Sequence, residues 1–401
     1  MDGSWSPRAM IDRWAASGAM ALTGPVTTPL GPPEGLVATV AALEGRFPGL
    51  DGLALLGERA ALLGLGRQGT VSCGGGCRLL PCHDGWLALS LARPEDHEVV
   101  PAWLECDQLP AETRAEWERI ATLVSQRRGA ELVERGSLLG LPVAMLGDAL
   151  DRPPLLRTRC GAAPPLTSWQ GLRVIDLTAL WAGPLCGDLL AGAGASVIKV
   201  ESTQRPDGAR RGPPEFFDLL NGRKQSVALD FRDPEGLQTL HRLVRSAHIV
   251  LESSRSRALE QLGLRAADVI AEGRPRLWVS ITGYGRNGPQ ANRVAFGDDA
   301  AVSGGLVVRY DDQPHFCADA VADPLSGLTA AHACLDALAE GGRWVLDVAM
   351  AAVARVHGGP MLEAPGDIDV APPRSRQLTS RAQALGAATA RIVADLETSG
   401  P

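Results

Sequence analysis

The chain has 401 residues, room for about two average domains, and its 45% hydrophobic and 21% charged content is ordinary for a globular protein. A formal net charge of -7 excludes a broad basic field for nucleic acid or an anionic membrane, so a phosphorylated ligand must find local cations. No apolar stretch is long enough to span a bilayer, no leader pattern is visible at Met1-Asp2-Gly3-Ser4-Trp5, and the eight scattered cysteines form no disulfide framework, so a reducing cytoplasm is expected.

In chain order, helical runs are read at Leu36 to Leu43 and Ala115 to Val124, with a strand at Gly85 to Leu91 between them. The Pro-rich stretch Arg152-Pro153-Pro154 to Pro164-Pro165 breaks regular structure and reads as a linker. Strand and helix then alternate. Short apolar, β-branched runs stand at Leu172 to Leu177, Ser196 to Val200, Ser226 to Leu229, His248 to Leu251, Leu277 to Ile281 and Trp344 to Val348. Helices are expected from Gly183-Pro184 to Gly192, from Pro234 at a favoured first-turn position, and from Pro324 to Ala339. The alternation predicts an α/β fold: a doubly wound parallel sheet (Rossmann-like) of about six strands over 168–355, with a second, smaller α+β domain. The expected division is 1–165 for the small domain with a degenerate N-terminal segment, 166–360 for the nucleotide-binding domain, and 361–401 for a helix-prone or partly disordered tail. A faint repeat relates Asp12 to Gly18 with Asp299 to Gly304, as consistent with chance as with duplication.

Several stretches in a fixed order carry a resemblance. They are Gly171-Leu172-Arg173-Val174-Ile175-Asp176-Leu177 with Ala182-Gly183-Pro184, then Gly194 to Glu201, then Leu220-Asn221-Gly222-Arg223-Lys224-Gln225-Ser226-Val227-Ala228-Leu229-Asp230. Glu252-Ser253-Ser254-Arg255 and Ser280-Ile281-Thr282-Gly283-Tyr284-Gly285 follow. Together they resemble the family III CoA-transferases, also called the CaiB/BaiF family, over roughly residues 168 to 355. Cys73-Gly74-Gly75-Gly76-Cys77 and Cys82-His83-Asp84-Gly85-Trp86 resemble that family's glycine-rich loop and small domain. Here they precede the nucleotide-binding part instead of following it, so the chain looks circularly permuted or like the join of two fused copies.

Taken alone, Asp323 in Ala322-Asp323-Pro324-Leu325 reads as a helix N-cap. The resemblance implies a nucleophile, because its motif matches the family's catalytic aspartate; a carboxylate there attacks a thioester and carries CoA as an aspartyl thioester. Gly74, Gly75 and Gly76 read either as a flexible turn or as a loop donating N–H groups to an oxyanion. Lys224, Arg255 and Arg223 read as solvated charges by default, and the resemblance places their segments near the CoA phosphates. Tyr284 and Trp181 are read as packing residues or as lining of the CoA site. Gly192 and Gly194 make no dinucleotide fingerprint, and Cys73, Cys77, Cys82 and His83 lack zinc-knuckle spacing, so no metal is expected.

The function implied by the resemblance is transfer of CoA between carboxylic acids. The coenzyme A thioester is then a substrate, no cofactor is tightly bound, and the partners are an acyl-CoA, an acceptor acid and a second copy of the chain in a homodimer. One alternative is an α-methylacyl-CoA racemase, but Gly297-Asp298-Asp299 lacks the histidine of the racemases' Gly-His-Asp motif. A non-catalytic acyl-CoA-binding subunit is the other.

Overall fold

The N-terminal segment begins with a local signal strong enough to fix its first helix. Ser6 accepts the N–H of Ala9 and Pro7 occupies the first helical position, so α1 (Pro7–Ser17) is capped where it starts. The structure is a computed structural model describing residues 5–398. After α1 come α2 (Glu34–Glu44) and the short α3 (Glu58–Leu63). Their buried side chains, among them Trp14, Leu36, Val40 and Leu56, share one core with the helices and strands of the second half of the chain. The residues before about 65, grouped with the small domain on sequence, thus pack against the second half of the chain, because their apolar faces find larger apolar partners there.

The small domain proper is a three-stranded antiparallel sheet, β1 (Cys77–Cys82), β2 (Gly85–Ser90) and β3 (Val143–Met145), in the order β1-β2-β3. It is covered by α4 (Pro94–Leu104), α5 (Thr113–Ser125) and α6 (Gly129–Leu139), which bury Trp103, Trp117 and Ile120 with Leu87 and Leu89 in a separate core.

The stretch expected to be an irregular linker contains a strand. β4 (Leu155–Gly161) pairs antiparallel with the last strand of the main sheet, and the prolines that flank it bound it at both ends. It escapes sequence reading because Arg157, Thr158 and Arg159 face water on an edge strand with no apolar alternation. The main sheet continues through β5 (Arg173–Leu177), α7 (Ala182–Gly192), β6 (Ser196–Ser202), α8 (Pro214–Asn221), β7 (Gln225–Leu229), α9 (Pro234–Ser246), β8 (Ile249–Glu252), α10 (Ser256–Gln261), α11 (Ala266–Glu272) and β9 (Leu277–Thr282). Then come α12 (Gly297–Ser303), a two-stranded ribbon of β10 (Val308–Tyr310) and β11 (Gln313–His315), the long α13 (Ala322–Glu340), β12 (Arg343–Ala349) and α14 (Met350–His357).

The strand order is β4-β12-β9-β8-β5-β6-β7, with every pair parallel except β4 with β12. The six predicted strands are therefore the six parallel ones, and the order reverses direction between β5 and β8. In a doubly wound sheet that reversal opens a crevice beyond the carboxyl ends of the strands, where ligands bind.

The segment after α14 is ordered rather than a loose tail. Pro372 and Pro373 lie against Gly18, and Arg376 reaches Glu58 and Asp188. Then α15 (Thr389–Thr398) buries Ile392 beside β7.

Candidate active site

The loops leaving β5 and β8 meet at the reversal point. After β5 the backbone passes through Leu180, a non-glycine residue at φ 70°, and Trp181 caps α7. After β8 come Ser253, whose hydroxyl accepts the N–H of Ala179, and the exposed Arg255. A strained residue held in place by its surroundings is a frequent feature of ligand sites. Trp181 is only 2% exposed, packs edge-on against Phe216 with ring centroids 4.9 Å apart, and has the guanidinium of Arg59 over its other side at 5.1 Å.

Arg59 brings the pieces of the site together. It sits in α3, and its Nε donates to Asp319 Oδ2 at 2.9 Å while Nη2 donates to Asp319 Oδ1, a bidentate pair. Asp319 is fully buried and lies between Ala318 and Ala320, both at positive φ. A Cβ placed on Gly74 would lie 3.3 Å from Arg59 Nη2, so the glycine loop touches the guanidinium. Gly75 needs its glycine for a φ of 76°, and no neighbour would crowd a side chain at this position.

Asp323 stands beside this arrangement. Val321 is the N-cap of α13 and Ala322 its first residue, so Asp323 lies in the first turn and is not itself the cap. The N–H of Gly297, at the start of α12, supports its carboxylate. Two more carboxylates crowd the same place. Asp298 accepts the N–H of Ala320 at 3.2 Å and the hydroxyl of Ser72, while Asp299 accepts the hydroxyl of Ser90 at 2.7 Å and the N–H of Phe296 at 3.0 Å. Those two serines tie the small domain to α12.

Burial dominates the electrostatics of this group. It pushes Asp323 up to about 7; Arg59 opposes the rise, while Asp298 and Asp299 add to it. Burial likewise lifts Asp299 to about 7 and Asp298 to about 6, with the serine hydroxyls and nearby N–H groups opposing. Arg59 itself is held charged: burial works against it, but Asp319, Asp298 and Asp323 more than compensate. The neighbouring Cys73 thiol is driven well above its usual value by burial and is no nucleophile near neutral pH.

The sequence-based candidates separate into two groups. Gly74, Trp181 and Asp323 converge around Arg59, and Arg255 is exposed just after β8, its guanidinium near Gly140. Lys224 does not take the expected phosphate role. Its ammonium is 2.8 Å from Asp176 Oδ2 and 2.8 Å from the carbonyl of Pro184, inside the fold, where no phosphate reaches it. Arg223 is also misplaced for such a role, because it precedes β7 and reaches the carboxyl end of α7 near Gly192, opposite the crevice, 3.7 Å from Asp188. Tyr284 is buried with Arg293 stacked on its ring at 4.0 Å, which makes it a packing residue. Arg59 and Asp319 were invisible to sequence reading. They lie 260 residues apart in stretches without a motif, and only the fold pairs them.

A profile of CoA-transferase family III matches residues 169–381, more than half of the chain. The succinate–glutarate CoA-transferase of Agrobacterium fabrum is 33% identical over 193 residues, 44% of this chain and 47% of that protein. The succinyl-CoA–D-citramalate CoA-transferase of Chloroflexus aurantiacus is 34% identical over 152 residues, 36% of this chain and 38% of that protein. A solved CaiB/BaiF family protein from Brucella suis is 31% identical, with a TM-score of 0.44 over 47% of this chain and 55% of its own. The chain thus spans less than half the length of these two curated relatives, and Arg59 and the glycine loop lie outside the residues that the family profile matches. By the extent of the profile match, this chain belongs to CoA-transferase family III.

Proposed function

We propose that the chain moves CoA between carboxylic acids, with Asp323 as the nucleophile. The observation that carries this reading is the position of Asp323 in the first turn of α13, within a buried carboxylate group that shares Arg59 with the glycine loop. In this reading the Asp323 carboxylate attacks the thioester carbonyl and expels the CoA thiolate, leaving a mixed anhydride. The thiolate then attacks the Asp323 carbonyl, releasing the first acid and leaving an aspartyl-CoA thioester. The acceptor acid reverses both steps. The Gly75 N–H is held by the Ser72 carbonyl, so the backbone N–H groups of Gly74 and Gly76 and the helix end at Asp323 are the groups suited to the negative charge that develops on oxygen. Poor solvation keeps the ionised carboxylate reactive, and ionisation requires a pH near or above about 7.

The CoA phosphates belong at the crevice between β5 and β8, where Arg255 is exposed. The names of the relatives make succinyl-CoA and glutarate the first donor and acceptor to assay. A homodimer in a reducing cytoplasm completes the reading, and the eight free cysteines are compatible with that compartment; light scattering that gives a monomer at micromolar concentration refutes the dimer.

Hydroxylamine added after acyl-CoA should trap a hydroxamate at Asp323, detected by mass spectrometry, and Asp323→Asn should abolish both the adduct and transfer while CoA binding survives. Near-normal transfer by Asp323→Asn would move the role to Asp298 or Asp299.

A further inference from the structure

The carboxylate group raises a problem that the nucleophile alone does not answer. An acceptor acid arrives as an anion, and Asp298, Asp319 and Asp323 all repel it. Arg59 is the cation that bears most on Asp323, so an incoming carboxylate has to be drawn in by it. Three observations suit Arg59 to that task. Its guanidinium is preset, because Asp319 holds Nε and Nη2 and the Trp181 ring lies beneath. Its anchor cannot swing: the adjacent Glu58 is fully buried and gripped by Arg376, Nε to Oε1 at 2.7 Å and Nη2 to Oε2 at 3.0 Å. And donors are left over. Arg59 is 25% exposed at its side chain, and its Nη1 has no acceptor among the described residues. Beside it the buried indole N–H of Trp181 also has no partner. A buried donor without an acceptor, next to a guanidinium with a free edge, marks a place where an acceptor is missing.

We propose that Arg59 is the docking cation for the acceptor acid: its Nη1 edge, on the guanidinium that lies over the Trp181 ring, takes the carboxylate of the short acid that receives CoA. The proposal rests on the transferase reading for its chemistry. A docked carboxylate oxygen attacks the Asp323–CoA thioester carbonyl and the C–S bond breaks, giving the anhydride and the CoA thiolate. The thiolate then attacks the acceptor's acyl carbon, the C–O bond to Asp323 breaks, and the Asp323 carboxylate returns. Arg59 makes and breaks no bond; it sets where the acid lies, with Asp319 as its positioning partner.

The test separates docking from chemistry. Succinate binding is measured by calorimetry on the full chain, and the KM for glutarate and for succinyl-CoA is measured in the transfer assay. Arg59→Gln should weaken succinate binding and raise the glutarate KM on the order of tenfold or more, the loss expected for a charge-assisted hydrogen bond, with CoA affinity unchanged. Arg59→Lys should fall between, since it keeps the charge and loses the planar fork. Asp323→Asn should bind succinate at least as well as wild type, because one repelling charge is gone. If Arg59→Gln fails to fold with Asp319 left unpaired, the double variant Arg59→Gln/Asp319→Asn removes both charges and carries the same expectation. Wild type that does not bind succinate, Arg59→Gln that binds it normally, or a loss confined to CoA affinity overturns the proposal. An absent hydroxamate with succinate binding still dependent on Arg59 would instead sink the Asp323 mechanism and leave the docking role standing.

Discussion

Two clusters of buried charge flank the loop from Thr178 to Trp181, and they are built on opposite rules. On one flank Lys199, Lys224 and Arg210 face Asp207, Asp176 and Glu201, one cation to each carboxylate. Lys199 also donates to the carbonyl of Thr178, and Asp207 accepts the N–H of Leu180, so this cluster grips the strained loop from below. On the other flank Arg59 is the one cation, among the described residues, set against Asp298, Asp319 and Asp323, with Asp299 close behind. The titration behaviour follows the composition. In the balanced cluster burial lowers Lys224 but is overcome at the carboxylates: Lys224 and Lys199 hold Asp176 below its usual value, as Lys199 holds Asp207. In the anion-rich cluster burial wins, and three carboxyls are lifted to between about 6 and about 7. Matched charge supports the backbone. Unmatched charge leaves carboxyls that exchange protons near neutral pH, which is where functional groups are found.

The largest effect expected from breaking this contrast is Lys224→Met. It takes from the buried Asp176 its direct ion-pair partner, leaving only Thr178 and the more distant Lys199, which costs up to about 3–5 kcal/mol. The variant should be insoluble or melt many degrees lower, whereas Arg255→Ala should keep the wild-type melting temperature and raise the KM for acyl-CoA. A Lys224→Met protein of normal stability would mean that the balanced cluster supports nothing.

Next in size is the pH dependence. In the proposed mechanism Asp323 reacts as the carboxylate, so the transfer rate should rise with pH through about 7. Asp298→Asn removes a like charge and should move that limb to lower pH, by something on the order of one unit. An unmoved limb would show that Asp298 and Asp323 do not feel each other.

A smaller effect is expected for stability. Asp299 is lifted from 3.8 to about 7 in the fold, so the folded state binds its proton more tightly than the unfolded chain. The stabilisation is full below about pH 4 and lost as pH rises through about 7. Asp299→Asn keeps an acceptor for Ser90 and removes the charge, so it should raise the melting temperature by a few degrees (roughly 2–4 °C per kcal/mol) at pH 8 and not at pH 4. Scanning calorimetry at the two values decides it. The smallest change should come from Arg223→Ala, within about 0.5 kcal/mol and with CoA affinity intact, because Asp188 keeps Arg376 at 2.7 Å.

The chain's own sequence determined the strands and helices whose patterns are local. β5 to β9 and β12 are runs of apolar, β-branched residues, and a central parallel strand buried on both faces has to look like that. Pro234 behind the capping Asp233 marks the start of α9, and Asp323 with Gly74–Gly76 could be singled out because each lies in a recognisable motif. The tertiary structure decided everything that depends on pairing across distance. β4 is a strand because β12 offers it an edge, not because Leu155–Gly161 has a strand's alternation. Lys224 became an internal counterion because β5 places Asp176 within its reach, though nothing beside Lys224 in the chain announces this. Arg59 meets Asp319 only because the N-terminal helices pack into the same core as α13. A charge's function is set by the charges it meets and the water it loses, and both are properties of the folded chain, since neighbours in space need not be neighbours in sequence.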